Sequence, residues 1–161
     1  TMVCTLYFNK YHDLRPAEEK GLELTPDIDA DRICQEFIMF YNLCIQKYEK
    51  VNWVFPDSAS TTMINSLRSA ARKANLPYRN IVGCRKNEIS ERLRTIDMLL
   101  TTGRLKVNRT CTKLRKALGG LKWDEKKPNI PEDKNIGNCN DWYDAFCYSW
   151  IDFVEYIDLD R

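Results

Sequence analysis

Two places in this 161-residue chain put carboxylates where a reactive site could use them. Asp57 follows the apolar run "VNWVF" and Pro56, so it stands just past the C-terminal end of an expected strand, the edge of an open α/β sheet where ligands bind. In "NDWYDAFCY", Asp141 and Asp144 lie three residues apart near the start of an expected helix and project from one face. Hard divalent cations take oxygen ligands, and two carboxylate sources can hold a pair of them about 3.5–4 Å apart for in-line attack on a phosphodiester. Both features also have an ordinary structural reading. An aspartate after a strand forms turns and caps helices, and acids at a helix N-terminus are favoured by its dipole.

The charge pattern supplies a complement to those acids. The net charge of +2 conceals three unlike segments: residues 1–67 carry 6 basic and 10 acidic side chains, residues 68–127 carry 17 and 5, and residues 128–161 carry 2 and 8. The basic middle includes Arg85, Lys86, Arg92, Arg94, Arg104, Lys106, Arg109, Lys113, Arg115, Lys116, Lys122, Lys126 and Lys127. Basic residues scattered singly are a solvated face, but an excess of this size suits contact with a phosphate backbone. Lys86 stands out because it follows Gly83 at an expected strand-to-helix junction, where its side chain could turn back toward the sheet edge that carries Asp57.

The elements that must position these residues can be read from periodicity. "MVCTLYF" (Met2 to Phe8) is an expected buried strand, and Asn9 to Leu24 reads as a loop or weak hairpin. Thr25 and Pro26 suit a helix start, with a helix over roughly 26–49. "VNWVF" (Val51 to Phe55), "YRNIV" (Tyr78 to Val82) and "RLKV" after Gly103 are expected short strands. Helices are expected from Ser60 as cap to Asn75, over Asn87 to Thr102, over Thr110 to Leu118, and over Asn140 to Tyr156. Residues 122–138, with Pro128, Pro131 and Gly137, read as a long charged loop. The aromatic residues of the final helix read as core packing before any base-stacking role. Strands alternating with helices predict an α/β layered domain.

Composition narrows the function classes. With 43% apolar and 30% charged residues the chain is neither a disordered tail nor, lacking any run of about 18–20 apolar residues, a helical membrane protein. Its seven cysteines form no CxxC pair and sit mostly in apolar runs, as reduced core thiols of a reducing compartment would. The single histidine, His12, speaks against zinc. No phosphate loop of the form GxxxxGK[ST] occurs. The chain opens on Thr1 and enters an expected strand at once, which suggests a piece of a larger protein.

Taken in order, "VFPDSAS", "IVGCRKNEISERLRTIDMLLTTGRLKV", "CTKLRKALGGLKWDEKKP" and "NCNDWYDAFCYSW" resemble the C-terminal nuclease domain of the large terminase subunit of tailed bacteriophages, over about Val51 to Trp150. The resemblance implies one nuclease domain over residues 1–161 with a ribonuclease H-like fold, a central mixed sheet flanked by helices, and an ATPase domain upstream. It implies a cluster of acids binding two divalent ions, Mg2+ or Mn2+. Asp57 matches the family's second-strand aspartate, Asp144 the aspartate of its closing motif, and Lys86 the lysine before its long helix. Asp141 would complete the metal site. Three departures stand out: Asn140 and Asp141 replace the usual Asp-His, Cys147 replaces a usual arginine, and the opening strand has no acid. The family's first aspartate would then precede Thr1, since Asp13 lies past the strand.

The implied function is metal-dependent endonucleolytic cleavage of double-stranded DNA during viral genome packaging in the host cytoplasm, with other terminase subunits and the portal as partners and no membrane. Arg85, Lys86, Arg104, Lys106, Lys126 and Lys127 are the expected DNA contacts. The alternatives are a non-catalytic DNA-binding or motor-docking module of the same fold, or another ribonuclease H-like nuclease such as a resolvase or integrase.

Overall fold

The computed structural model describes residues 1–8, 10–23, 25, 28–120 and 139–157. These residues form a mixed α/β chain with a two-stranded antiparallel sheet. It divides into two compact units, one of Thr1–Glu19 with Lys86–Arg161 and one of Lys20–Arg85. The expected loop over residues 122–138 lies outside the described residues, as do Lys122, Lys126 and Lys127.

In the first unit, β1 (Met2–Phe8) turns back into β2 (Asp13–Lys20) through a bend at which Tyr11 N–H donates to the Phe8 carbonyl (3.1 Å) and His12 has φ +50°. Of the loop or weak hairpin read here from the sequence, the structure has the hairpin, its second arm a full strand of eight residues. Its acids, which suggested a solvated loop, have tertiary partners. Asp13 is buried against Lys106 Nζ (2.5 Å) and Arg15 (3.0 Å), and the Glu19 carboxylate accepts from the amides of Lys113 and Leu114 (2.8 Å each).

β2 also runs parallel to residues 104–108. Leu14 N–H donates to the Arg104 carbonyl (2.9 Å), and the Leu14 and Pro16 carbonyls accept from Lys106 and Asn108 (2.9 Å each). The next donor that such a ladder needs from β2 falls at Pro16, which has none, so "RLKV" makes one parallel bridge, Leu14 to Leu105, rather than the expected strand.

α3 (Ile89–Thr101) ends at Gly103, whose φ of +68° is the left-handed conformation that glycine tolerates. α4 (Thr112–Gly119) follows, its first turn capped by Glu19. α5 (Cys139–Tyr148) stops short of the expected end at Tyr156. Ser149 Oγ donates to the Phe146 carbonyl (2.6 Å), while the amides of Ser149 and Trp150 reach back only three residues. Competition of this kind tightens and ends a helix. A 3-10 turn (Ile151–Phe153) and α6 (Val154–Ile157) complete the unit. Its core gathers Leu14, Ile96, Leu99, Leu114, Phe146 and Trp150 with their neighbours. Tyr143, Phe146 and Trp150 are buried, as core packing requires.

In the second unit, α1 (Ala30–Tyr48) begins later than expected. Asp29 rather than Thr25 is its cap, accepting from Arg32 N–H (2.8 Å). α2 (Thr61–Lys73) is capped by Ser60, as read from the sequence, and the chain leaves it through Asn75 at φ +56°. Between the helices, residues 54–56 pair parallel to residues 80–84: Val54 N–H donates to Asn80, Val82 N–H to Val54 and Cys84 N–H to Pro56. Pro56 ends this ladder as Pro16 ends the other, so both "VNWVF" and "YRNIV" reduce to the bridge Val54 to Ile81. Asn80 pins the pair by donating to the Val51 and Asn52 carbonyls (3.1 Å each).

Each unit buries one acid beside two cations. The hydrogen bond from Lys106 holds the Asp13 carboxyl below the usual range, and that from Lys20 does the same for Glu36, which also pairs with Arg32 (2.6 Å each). A depressed folded-state pKa means that the unfolded chain takes up the proton first. The stabilisation is therefore present above the ordinary carboxylate value of about 4 and is lost as pH falls through the lower folded values. Thermal melts taken downward from about pH 5 should show a falling Tm, with a shallower fall in Asp13→Asn; an identical slope in that variant would count against the assignment.

Candidate functional site

Asp57 is exposed at the end of the parallel pair in the second unit. Its Oδ1 accepts from Ala59 N–H (2.9 Å), a turn that delivers the chain to the Ser60 cap of α2. The loop beneath it is closely packed. A Cβ on Gly83 would come within 3.2 Å of both the Ser58 Cβ and the Ile64 Cδ1, so any side chain there would oblige these neighbours to shift by a few tenths of an ångström. Asp57 thus has the strand-edge position read from the sequence and also the turn-forming role weighed against it.

Asp141 and Asp144 both lie on α5 in the first unit, Asp141 exposed and Asp144 partly so. Asp144 Oδ1 accepts from Arg92 Nη1 at 2.8 Å. Arg92, from α3, is the neighbour of Asp144 that sequence reading counted as one more basic residue. Its side chain is only 10% exposed, against 40% for Asp144, and its guanidinium lies 5.9 Å from the Tyr143 ring centroid. Its Nε and the Tyr143 hydroxyl have no hydrogen-bond partner among the described residues. The signal was present in the spacing: Arg92, Thr95, Ile96 and Leu99 are the buried face of α3, while Leu100, expected in the core, is 51% exposed. An arginine at core spacing needs a buried or half-buried acid.

Lys86 is exposed, with its Nζ 6.0 Å from the Tyr148 ring centroid, one helical turn beyond Asp144 along α5. Lys86, Asp144 and Arg92 therefore gather around α5. Burial pushes the Cys147 thiol, behind them, up to about 12 and Cys111 to about 11, so both are protonated. No disulfide joins the described cysteines.

Asp57 and Arg85 belong to the second unit and Lys86, Asp141 and Asp144 to the first, and among the described residues no three metal-ligating side chains form one group. The donors are nonetheless of the kind that hard divalent ions take: exposed or half-exposed carboxylates, one of them drawing a guanidinium as an ionised group does. Of the expected DNA contacts, Arg85 is exposed, Arg104 donates to the carbonyls of His12 (3.1 Å) and Ile157, and Lys106 is paired with Asp13. Comparison with protein-family models, curated proteins and solved structures finds no match to this chain.

Proposed function

We propose that this chain is a metal-dependent endonuclease domain that cleaves double-stranded DNA, of the kind that large terminase subunits use in packaging a viral genome. The reading rests first on the order of motifs in the sequence. The observation that carries it furthest is Asp57 just past a segment that pairs in parallel through the Val54–Ile81 bridge, immediately before a capped helix, a setting like that in which α/β folds present ligand-binding groups.

The carboxylates that this reading assigns to Mg2+ or Mn2+ are Asp57 in the second unit and Asp141 and Asp144 in the first; the ion, when bound, would supply an activated water and charge stabilisation for phosphodiester hydrolysis. Arg92 holds the Asp144 side chain in place by its hydrogen bond, and Lys86 brings a cation to the same helix, suited to a phosphate oxygen. The backbone is what such groups contact, so cutting is indifferent to base sequence. A binding-only module is the second reading, favoured by the Arg92–Asp144 pair, because that guanidinium already neutralises one of the three acids.

Nicking of supercoiled plasmid with Mn2+ separates the two. The protein should relax and linearise the plasmid, and chelation should stop it. Asp57→Asn keeps an oxygen for the Ala59 amide and so should leave the fold intact, yet lower the rate by at least about 100-fold, beyond the 10–100-fold typical of outer-shell partners. Unchanged cleavage in that variant, or none in the parent, defeats the nuclease reading.

A further inference from the structure

The first unit carries a basic face that the site residues do not explain. Residues 104–116 hold Arg104, Lys106, Arg109, Lys113, Arg115 and Lys116 and no acid. Arg104 and Lys106 are engaged inside the unit, the first on main-chain carbonyls and the second on buried Asp13. α4 sorts the remainder. Leu114 and Ala117 are buried and Leu118 packs on the core, which leaves Lys113, Arg115 and Lys116 exposed on its outer side, with Arg109 exposed in the turn before.

None of these four side chains makes an ion pair with a carboxylate among the described residues. The acids closest to this helix in effect are Glu18 and Glu19 of β2, whose charges reach Cys111. Glu19 is occupied by the main-chain amides of the first turn and so satisfies the helix end rather than the side-chain cations. Among the described residues the outer side of α4 is therefore positive without an ion-paired acid, which suits a polyanion.

The composition of the face also selects among polyanions. Residues 104–120 contain no Phe, Tyr, Trp or His. Sites for single strands stack bases on aromatic rings, whereas duplex backbone contact needs only cations and amides. We propose that Arg109, Lys113, Arg115 and Lys116 form a sequence-independent grip on the phosphate backbone of double-stranded DNA, an assignment that builds on the nuclease reading by naming the surface that holds its substrate.

A fluorescent duplex of about 30 bp and arbitrary sequence should be titrated with the full chain in EDTA across a salt series. The triple variant Lys113→Ala, Arg115→Ala, Lys116→Ala should bind about tenfold more weakly or worse, with the log–log salt slope shallower by about 2–3, near 0.9 for each phosphate no longer neutralised. Lys113→Arg with Lys116→Arg should bind as the parent does, and circular dichroism should show the same melt for all. A control with equal charge loss in the second unit, Arg72→Ala, Lys73→Ala, Arg79→Ala, should keep its affinity. An unchanged slope in the α4 variant, an equal loss in the control, or tighter binding to single strands than to duplex overturns the proposal. Failure of the nuclease reading looks different: a chain that binds duplex through α4 but never cuts with Mn2+ loses that reading and keeps this surface.

Discussion

Phe146→Ala is expected to destabilise the first unit by about 3–5 kcal/mol, the range for removing a large aromatic from a packed core. Phe146 is fully buried, with its ring 6.0 Å from that of Trp150 and tilted 57° to it, and both belong to the cluster shared by α3, α4 and α5. Urea unfolding should show a lower midpoint at an unchanged slope, since the surface exposed on unfolding stays nearly the same. Tyr156→Ala, at a ring that is 63% exposed, should shift stability by no more than about 0.5 kcal/mol. A Phe146→Ala variant as stable as the parent would mean that this cluster is not the core. Because α5 also carries Asp141 and Asp144, the same variant should lose any activity that depends on those carboxylates in parallel with its fold.

The Arg92–Asp144 pair should be asymmetric. Removing Arg92, as Arg92→Leu, leaves Asp144 a carboxylate that is 40% exposed and can take up water. Removing the acid, as Asp144→Ala, strands a guanidinium that is only 10% exposed and whose Nε has no partner among the described residues. Breaking a fully buried pair costs about 3–5 kcal/mol because the surviving charge is uncompensated. Here Asp144→Ala should cost about 2–4 kcal/mol and Arg92→Leu about 1 kcal/mol less, since the survivor in the second case is hydrated. Equal losses in chemical denaturation would show that the pair behaves as a surface contact. The asymmetry also bears on the nuclease test: loss of cleavage in Asp144→Ala mixes a folding effect with a chemical one, while Asp57→Asn, at an exposed side chain bonded to a main-chain amide, does not.

Local signals in the sequence were sound wherever a residue's effect acts within a turn or two of itself. Ser60 caps α2, Asn75 and Gly103 take the left-handed conformation after their helices, and the apolar run of β1 forms a strand. Such features depend on φ preferences and on hydrogen bonds to main-chain groups three or four residues away, both legible from residue type and order. Asp57 after its apolar run, the Asp141 and Asp144 pair on α5 and Lys86 after Gly83 were singled out from local signals of the same kind.

What tertiary structure decided are the features that depend on partners distant in the chain. Asp13 and Glu19 make a strand of an apparently polar loop because Lys106 and the amides of α4, more than ninety residues on, meet their charges. Arg104 and Lys106, indistinguishable in sequence from Lys113 and Lys116, have partners within the unit, Arg104 on main-chain carbonyls and the half-exposed Lys106 on buried Asp13, and the outer side of α4 is left as the basic surface. Arg92 belongs with Asp144 and not with the solvated cations. A side chain's type shows that it carries charge, but only the packing around it determines whether that charge is neutralised within the protein or presented to another molecule.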